Sequence, residues 1–567
     1  MRGFWAELRR RNVIRMAVAY CALAWLLLQV AALLIPAFDI PNWVLRLLIL
    51  LAVLGFPFAL LFSWGYAWTD AGVVRESRLA RTGATPAAEA TAGDDDDSRM
   101  HASTPAPAAP PVAASIAVLP LVNMSSDREQ DYFSDGLSEE LLNLLAQVPG
   151  LHVAGRTSSF SFKGKSTTIG DIGRALNVAN VLEGSVRKSG DRVRITAQLI
   201  RARDDSHLWS QAYDRELTDI FAVQDEIAAA VVGALKLKLL PAQQPSHAGH
   251  HVPGPVAHNH FLLGRQFLNR ATADGFRRAI AEYRAAVELE PGYAAAHAGL
   301  ALAEAYASDD TDTDALMLAG RARAADAAEL AVARDPELGE AYAARAVLRF
   351  VFGQDWHGGD ADFRQALRFS PGDVMTHWQY SRLLAALGRV PEALEQALLA
   401  TGLDPLSAQA WEIVSRYQIA LGDFDAARAS LQRSLDISPE HGRAPVGMAT
   451  ACLLQGDPAA ALRWYRHADN TTFRMMGEAM ALHDLGDAPG SDASLQALVE
   501  ADAHHAAYQV ASVHAWRNAR DAAFAWLQRA IAQRDAGVQY LKYDPVLRNL
   551  RGDPRYPQLL RQVGLPD

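Results

Sequence analysis

The chain has 567 residues, half of them hydrophobic and about a fifth charged, with a formal net charge of −10. That length calls for several domains rather than one. The charge leaves no electrostatic footprint for nucleic acid, and the soluble part has no Lys/Arg run to supply a local one. Its two cysteines, Cys21 and Cys452, lie in regions of different character, which argues against a disulfide framework and fits a reducing compartment.

Residues 1–15 are basic. The stretch MAVAYCALAWLLLQVAALLI (16–35) carries no charge, and a second apolar run covers 47–68. Twenty helical residues span about 30 Å, the thickness of a bilayer's hydrocarbon core. The two runs therefore predict a transmembrane helical hairpin turning at PAFDIPN, with Gly55 and Pro57 kinking the second span. Trp43, Trp64 and Trp68 sit near the span ends, where indole rings prefer the interface. A cleaved signal peptide is disfavoured because the first run is too long and a second follows it. Arg2, Arg9, Arg10, Arg11 and Arg15 precede the first span, and Arg75, Arg78 and Arg81 follow the second. The turn carries Asp39 and no Lys or Arg. The positive-inside rule then predicts a two-pass inner-membrane protein with its N-terminus and soluble domains in the cytoplasm.

Residues 79–114, rich in Ala and Pro and containing Asp94–Asp97, read as a disordered linker. An α/β domain is predicted over 115–240. It has strands at 115–122, 151–155 and 207–217, a hairpin over 180–202 turning at Ser189-Gly190-Asp191, and helices near 137–148, 169–176 and 221–239. The order β-α-β-α-β-β-β-α makes a small α/β or α+β sandwich. QDYFSDGLSEELLNLLAQV carries Asp131, Asp135, Glu139 and Glu140 within ten residues. Asp135 and Ser138 suit an N-cap and the two glutamates a first turn, so a helix start is the favoured reading over a catalytic or metal cluster. No His or Cys lies nearby to complete a metal site.

SIAVLPLVNMSSDREQDYFSDGLSEEL, VAGRTSSFSFKGK, VANVLEGSVRKSGDRVRITAQLI and HLWSQAYDREL together resemble the TolB N-terminal-like domain, related to the FlgO-type domain, over about 115–237. WAELRRRNVIRMAVAYCALAWLLLQVA and GFPFALLFSWGYAWTDAGVVRE resemble that family's membrane leader. The resemblance implies a non-catalytic domain followed by tetratricopeptide repeats. It carries over Asp135, Gly136, Arg156, Glu183, Gly184, Ser185 and Arg187 as possible binding positions. Structural roles compete for each: Gly136 and Gly184 as backbone requirements, Glu183 as an arginine's partner.

A linker is read at 241–256. His247, His250, His251, His258 and His260 lie in or beside it, and a flexible linker is favoured over a zinc or copper site. From 257 the chain becomes Ala- and Leu-rich. Pro336, Pro371, Pro405 and Pro439 stand 35, 34 and 34 residues apart, the tetratricopeptide period. The other signature positions keep step. They are Ala279, Tyr283 and Ala286 before Pro291, then Ala324, Ala328 and Ala331 before Pro336. Gly359, Phe363 and Ala366 precede Pro371, Ala393, Ala397 and Ala400 precede Pro405, and Ala427, Leu431 and Ser434 precede Pro439. Ala461, Tyr465 and Ala468 continue the register, Trp411 takes an aromatic position, and Gly388, Gly422 and Gly456 fall at the turns within units. About eight repeats are predicted over 257–535, with cap helices closing the end at 536–567, because each unit exposes an apolar face to the next.

The fold class is therefore multidomain: a transmembrane hairpin, a small α/β domain and an all-α tetratricopeptide superhelix. GKST at 164–167 lacks the glycine spacing of a phosphate loop, and no Gly-x-Ser-x-Gly elbow occurs. No catalytic residue, cofactor or metal is predicted. The favoured function is a membrane-anchored, non-enzymatic scaffold that binds protein partners through its repeat groove and α/β domain, without nucleic acid and with self-association open. The alternatives are a regulatory relative of a nucleotide cyclase or membrane-bound transcription regulator acting with a separate output protein, or an envelope-assembly protein if the soluble part is periplasmic. About fifteen residues precede the first span, too few for a cyclase or DNA-binding domain there.

Overall fold

A computed structural model describes residues 66–69, 72–75, 112–125, 130–235, 251–308, 314–502 and 505–565. The first expected span, 16–35, and all of the second up to residue 65 lie outside these residues. Among the described residues no helix is long and apolar enough to cross a membrane. Tyr66–Thr69 pairs antiparallel with Gly72–Arg75, so 66–68, read as the end of the second span, are strand. Tyr66 and Trp68, with Val73 and Val74 opposite, favour extended backbone.

The α/β domain starts earlier than expected, inside the supposed linker, with β1 (Val112–Val118). It continues through β2 (Val122–Asn123), α1 (Asp131–Ala146), β3 (His152–Val153), α2 (Arg156–Phe160) and α3 (Ile169–Leu176). Then come β4 (Val178–Ser189), β5 (Arg192–Arg201), β6 (Ser206–Glu216) and α4 (Ile220–Ala234). The strand order is β3-β1-β4-β5-β6, with β2 paired to β4 beyond the end of β1. β1 is parallel to β3 and β4; β4, β5 and β6 run antiparallel. Gly190, at φ +57°, takes the left-handed conformation that the two-residue β4–β5 turn requires.

Alternation along the strands assigns the faces. Ile116, Val118, Leu182, Val186, Ile195 and Leu199 pack with Phe133, Leu137 and Leu141 of α1 and Ile227 and Val231 of α4. Ala117 and Val181 point the other way and meet Ile172 and Leu176 of α3. α3 therefore lies on the face opposite α1 and covers only part of it.

Eight helix pairs run from Pro255 to Ala532 among the described residues. The small signature residues Ala279, Ala286, Ala324, Ala331, Ala366, Ala393, Ala400, Ala427, Ala461 and Ala468 are all buried where paired helices meet. The large ones, Tyr283, Phe363 and Tyr465, are buried as completely. All of them are packed in the interior. Ala286 joins Tyr283 in a core that extends into the α/β domain, which the repeat register alone does not announce. Phe363 lies 5.5 Å from the Tyr380 ring and shares a core with Phe350 and Leu383 that reaches the end of the chain. The prolines Pro291, Pro336, Pro371 and Pro439 are exposed in the loops after the second helix of each pair.

Gly388, Gly422, Gly456 and Gly486 take φ near +80° after a first helix, the left-handed stop that glycine makes without strain. His297, His377 and Trp411 each stand six residues after a signature proline. Their ring N–H groups donate to the carbonyls of Pro291, Pro371 and Pro405 at 2.9–3.1 Å. A side chain at Gly477 would drive into the Tyr465 ring. Gly477→Ala should therefore cost roughly 1–3 kcal/mol by overpacking, read as a lower thermal unfolding midpoint.

Candidate functional site

The sheet's path opens a crevice. From β1 the chain crosses one face through α1 to β3, then returns over the other face through α3 to β4, on the far side of β1. The connections therefore part at the carboxyl ends of β1 and β3, the usual place for a ligand in an open α/β sheet. A space of about 880 Å³ lies there. Its apolar wall is Leu119, Leu121, Phe162, Ile169 and Ile172. Its polar wall is the part of β4 and β5 that α3 leaves bare. There Gln198 Nε2 donates to Glu183 Oε1 at 2.6 Å, and the Ser185 and Thr196 hydroxyls meet at 2.7 Å. Asn123 Nδ2 donates to Asp131 Oδ1 at 2.8 Å, and Lys163 Nζ clasps both oxygens of Asp135 at 2.7 Å across the rim.

The seven positions carried by the family resemblance separate. Glu183, Gly184 and Ser185 line the crevice. A Cβ on Gly184 would strike the Thr196 carbonyl and Leu121, so this glycine serves close strand approach. Asp135 anchors the rim lysine. Gly136 faces the helical array, where a Cβ would lie 2.7 Å from Leu262. Arg156 pairs with Glu139 and stacks over Phe160. Arg187 is exposed, in register with Arg194 on β5.

The reading of Asp135 to Glu140 as a helix start is corrected. α1 begins at Asp131, with Gln130 at the N-cap. Ser138 and the glutamates are buried mid-helix because α1 is a contact surface for the array, packing on α5 (Pro255–Leu268). Ser138 Oγ donates to the Ser134 carbonyl and accepts from Leu121 N–H. Glu139 accepts from Arg156 and Asn269. Glu140 accepts from Gln224 at 2.6 Å and lies 3.4 Å from His258 Nε2. Burial alone would raise its carboxyl, but the nearby His258 ring, the Arg265 charge and the Gln224 hydrogen bond hold it below the usual range. Arg265 also forks onto Glu340 at 3.0 Å.

The linker reading of the histidines is likewise corrected for two of them. His258 is buried on α5 against Phe221 and Tyr293, and His260 pairs with Glu282. His251 reaches Glu290, while His247 and His250 lie outside the described residues. No group of three metal-ligating side chains occurs among the described residues.

The docking continues along the loops that join successive units. Gly372 N–H donates to the Ala146 carbonyl at 3.0 Å, and Gly155 N–H to that of Leu403 at 2.7 Å. Ser158 N–H donates to Asp404 at 2.7 Å, and Leu406 N–H to Ser158 Oγ at 2.9 Å. Burial pushes the Asp404 carboxyl up, against these hydrogen bonds. Asp404→Ala would orphan the Ser158 amide, costing about 1–3 kcal/mol, measurable by urea unfolding.

The end cap also sits differently from expectation. Residues 536–565 do not merely close the last unit; they fold back inside the superhelix. Tyr543 packs edge-on to Tyr417 of the fifth unit. Gln539 accepts from Arg382 of the fourth, and Trp356 of the third donates to the Val563 carbonyl at 2.7 Å. Leu547, Leu550, Leu559 and Leu560 share one core with Phe350, Leu383, Leu384 and Tyr508. A cleft of about 150 Å³ stays open between Tyr540–Val546 and the first helices of units five to eight. It is floored by Ile419, Val446, Phe473 and Met476, with Arg443 stacked over Phe473 at 5.0 Å.

Residues 418–474 match the tetratricopeptide repeat family. The helical array is built of tetratricopeptide repeats. A curated relative, named putative adenylate cyclase 3 of Rhizobium meliloti (strain 1021), is 43% identical over 192 residues, 34% of this chain and 33% of that protein. The chain thus spans about a third of that relative's length. Among solved structures, PilF of Pseudomonas aeruginosa is 17% identical, covering 36% of this chain and 90% of its own, with a TM-score of 0.30. PilW, a type IV pilus biogenesis factor, is 19% identical, covering 36% and 93%, with a TM-score of 0.31. Overlays this loose carry nothing about function.

Proposed function

We propose that this protein is a membrane-anchored, non-enzymatic scaffold that binds protein partners through the tetratricopeptide array. The carrying observation is the open cleft of units five to eight. Its apolar floor, with Arg443 at the edge and Glu412, Arg416 and Asp544 also in the lining, suits an extended peptide offering an apolar side chain. The uncharged run 16–35, the apolar run 47–68 and the flanking arginines support an inner-membrane anchor with the soluble part in the cytoplasm. The motifs of 115–237 support a TolB N-terminal-like, FlgO-type identity for the α/β domain. Full-length protein in detergent should bind such peptides, and Met476→Glu or Arg443→Glu should abolish the binding. Equal binding by both variants would contradict the reading.

The stretch of likeness to a putative adenylate cyclase favours a second reading, a regulator acting beside a separate cyclase. Purified full-length protein given ATP and magnesium should form no cyclic AMP. Formation that follows the protein through purification and is lost on a point mutation would overturn the non-enzymatic reading.

A further inference from the structure

We propose that the crevice at the carboxyl ends of β1 and β3 binds a polyhydroxylated ring, as found in a free sugar or in the ribose of a nucleoside. At about 880 Å³ it is far larger than the cleft of the array and falls in the size range of small-molecule sites. It sits where the chain's connections diverge, which leaves it open without strain.

The lining selects the chemistry. Asp131 and Glu183 are carboxylates, each already held by one amide, from Asn123 and Gln198. Among the described residues each keeps a second oxygen to accept from a ligand donor. The hydroxyls of Ser134, Ser185 and Thr196 stand beside them. An oriented carboxylate next to amides and hydroxyls matches the paired donor and acceptor groups of a vicinal diol. Phe162, Ile169 and Ile172 offer an apolar wall to a ring's C–H face. An anion is disfavoured: two carboxylates line the interior, and the lining lysines, Lys163 and Lys165, are on the rim loop with Lys163 engaged by Asp135.

This proposal is independent of partner binding by the array, and either can fail alone. The test is calorimetric titration of the full-length protein with glucose, maltose, adenosine and guanosine at millimolar concentration. Binding of the sugars alone identifies a sugar site, and binding of the nucleosides a ribose site. In either case Glu183→Gln should weaken affinity by about tenfold, and Ser185→Leu, which fills the crevice, should remove it. Arg187→Ala, on the same strand but outside the crevice, should bind as the parent does, and thermal unfolding checks that all three variants fold. No heat with any of the four compounds, or binding unchanged in both Glu183→Gln and Ser185→Leu, overturns the proposal.

Discussion

Glu140→Ala should loosen the union of the α/β domain with the repeat array by about 3–5 kcal/mol. Glu140 is 9% exposed, and the groups it faces, Gln224, His258 and Arg265, are equally sequestered. Removing the carboxylate strands the Gln224 amide and withdraws the charge beside His258 and Arg265, though Arg265 keeps Glu340. The measurement is urea unfolding of the full-length protein, with hydrogen exchange along α1. The midpoint should fall, and α1 amides should exchange faster than those of units six to eight. The pH dependence follows with its sign. The native carboxyl titrates below the ordinary value of 4.5, so the unfolded chain takes up the proton first. Its contribution is complete well above pH 4.5 and is lost as pH falls through the depressed native value. Glu140→Ala should therefore flatten the acid limb of the stability profile. An unchanged acid limb would mean that Glu140 is not held as an ion at this interface.

Leu547→Ala should cost about 2–5 kcal/mol, the range for emptying a fully buried leucine site. Leu547 has no exposed surface and shares a core with Leu383, Leu384 and Tyr508. Because the returning segment touches units three, four, five and eight, the loss should be felt across the array rather than at its end. Thermal unfolding should show a lower midpoint, and deletion of 536–567 should expose the inward apolar faces and bind a hydrophobic dye. A midpoint unchanged by Leu547→Ala would place this segment outside the folded core.

The repeat array was legible because its constraints are local and periodic. Alanines at helix crossings, and from Pro336 to Pro439 the prolines after the second to fifth pairs, recur every 34 or 35 residues, whatever the fold does elsewhere. The turn glycines were legible only in part. Gly388, Gly422 and Gly456 announce the left-handed stop, but Ala271, Gln354 and Asn518 adopt it at φ 50–57° without announcing it. His297 and His377 take the role of Trp411, and their place six residues after a proline was the available signal. The succession of strands along the chain was legible from alternation and from the turn at Gly190, but their order in the sheet was not. What sequence could not show was which apolar faces meet across long separations. Ala286 and Phe363 were legible as repeat positions, but not the α/β domain or the chain end as parts of the cores they join. Asp135 to Glu140 carry the composition of a helix start, and only the array beyond residue 255 turns Gly136, Glu139 and Glu140 into an interface. The returning segment 536–565 looks like an end cap because its destination lies more than a hundred residues back. The crevice was half visible: Glu183 and Ser185 stood out, while Asn123, Thr196 and Gln198 join them only through strand register.

The cleft of units five to eight is the proposed seat of a protein partner. The most direct test places a photo-crosslinking residue at Phe473, in the cleft, and at Leu398, exposed on the fourth unit, in the full-length protein in living cells. A discrete crosslinked protein from position 473, absent from position 398 and lost with Arg443→Glu, is the predicted result. The same products from both positions, or none from 473, would contradict the scaffold reading.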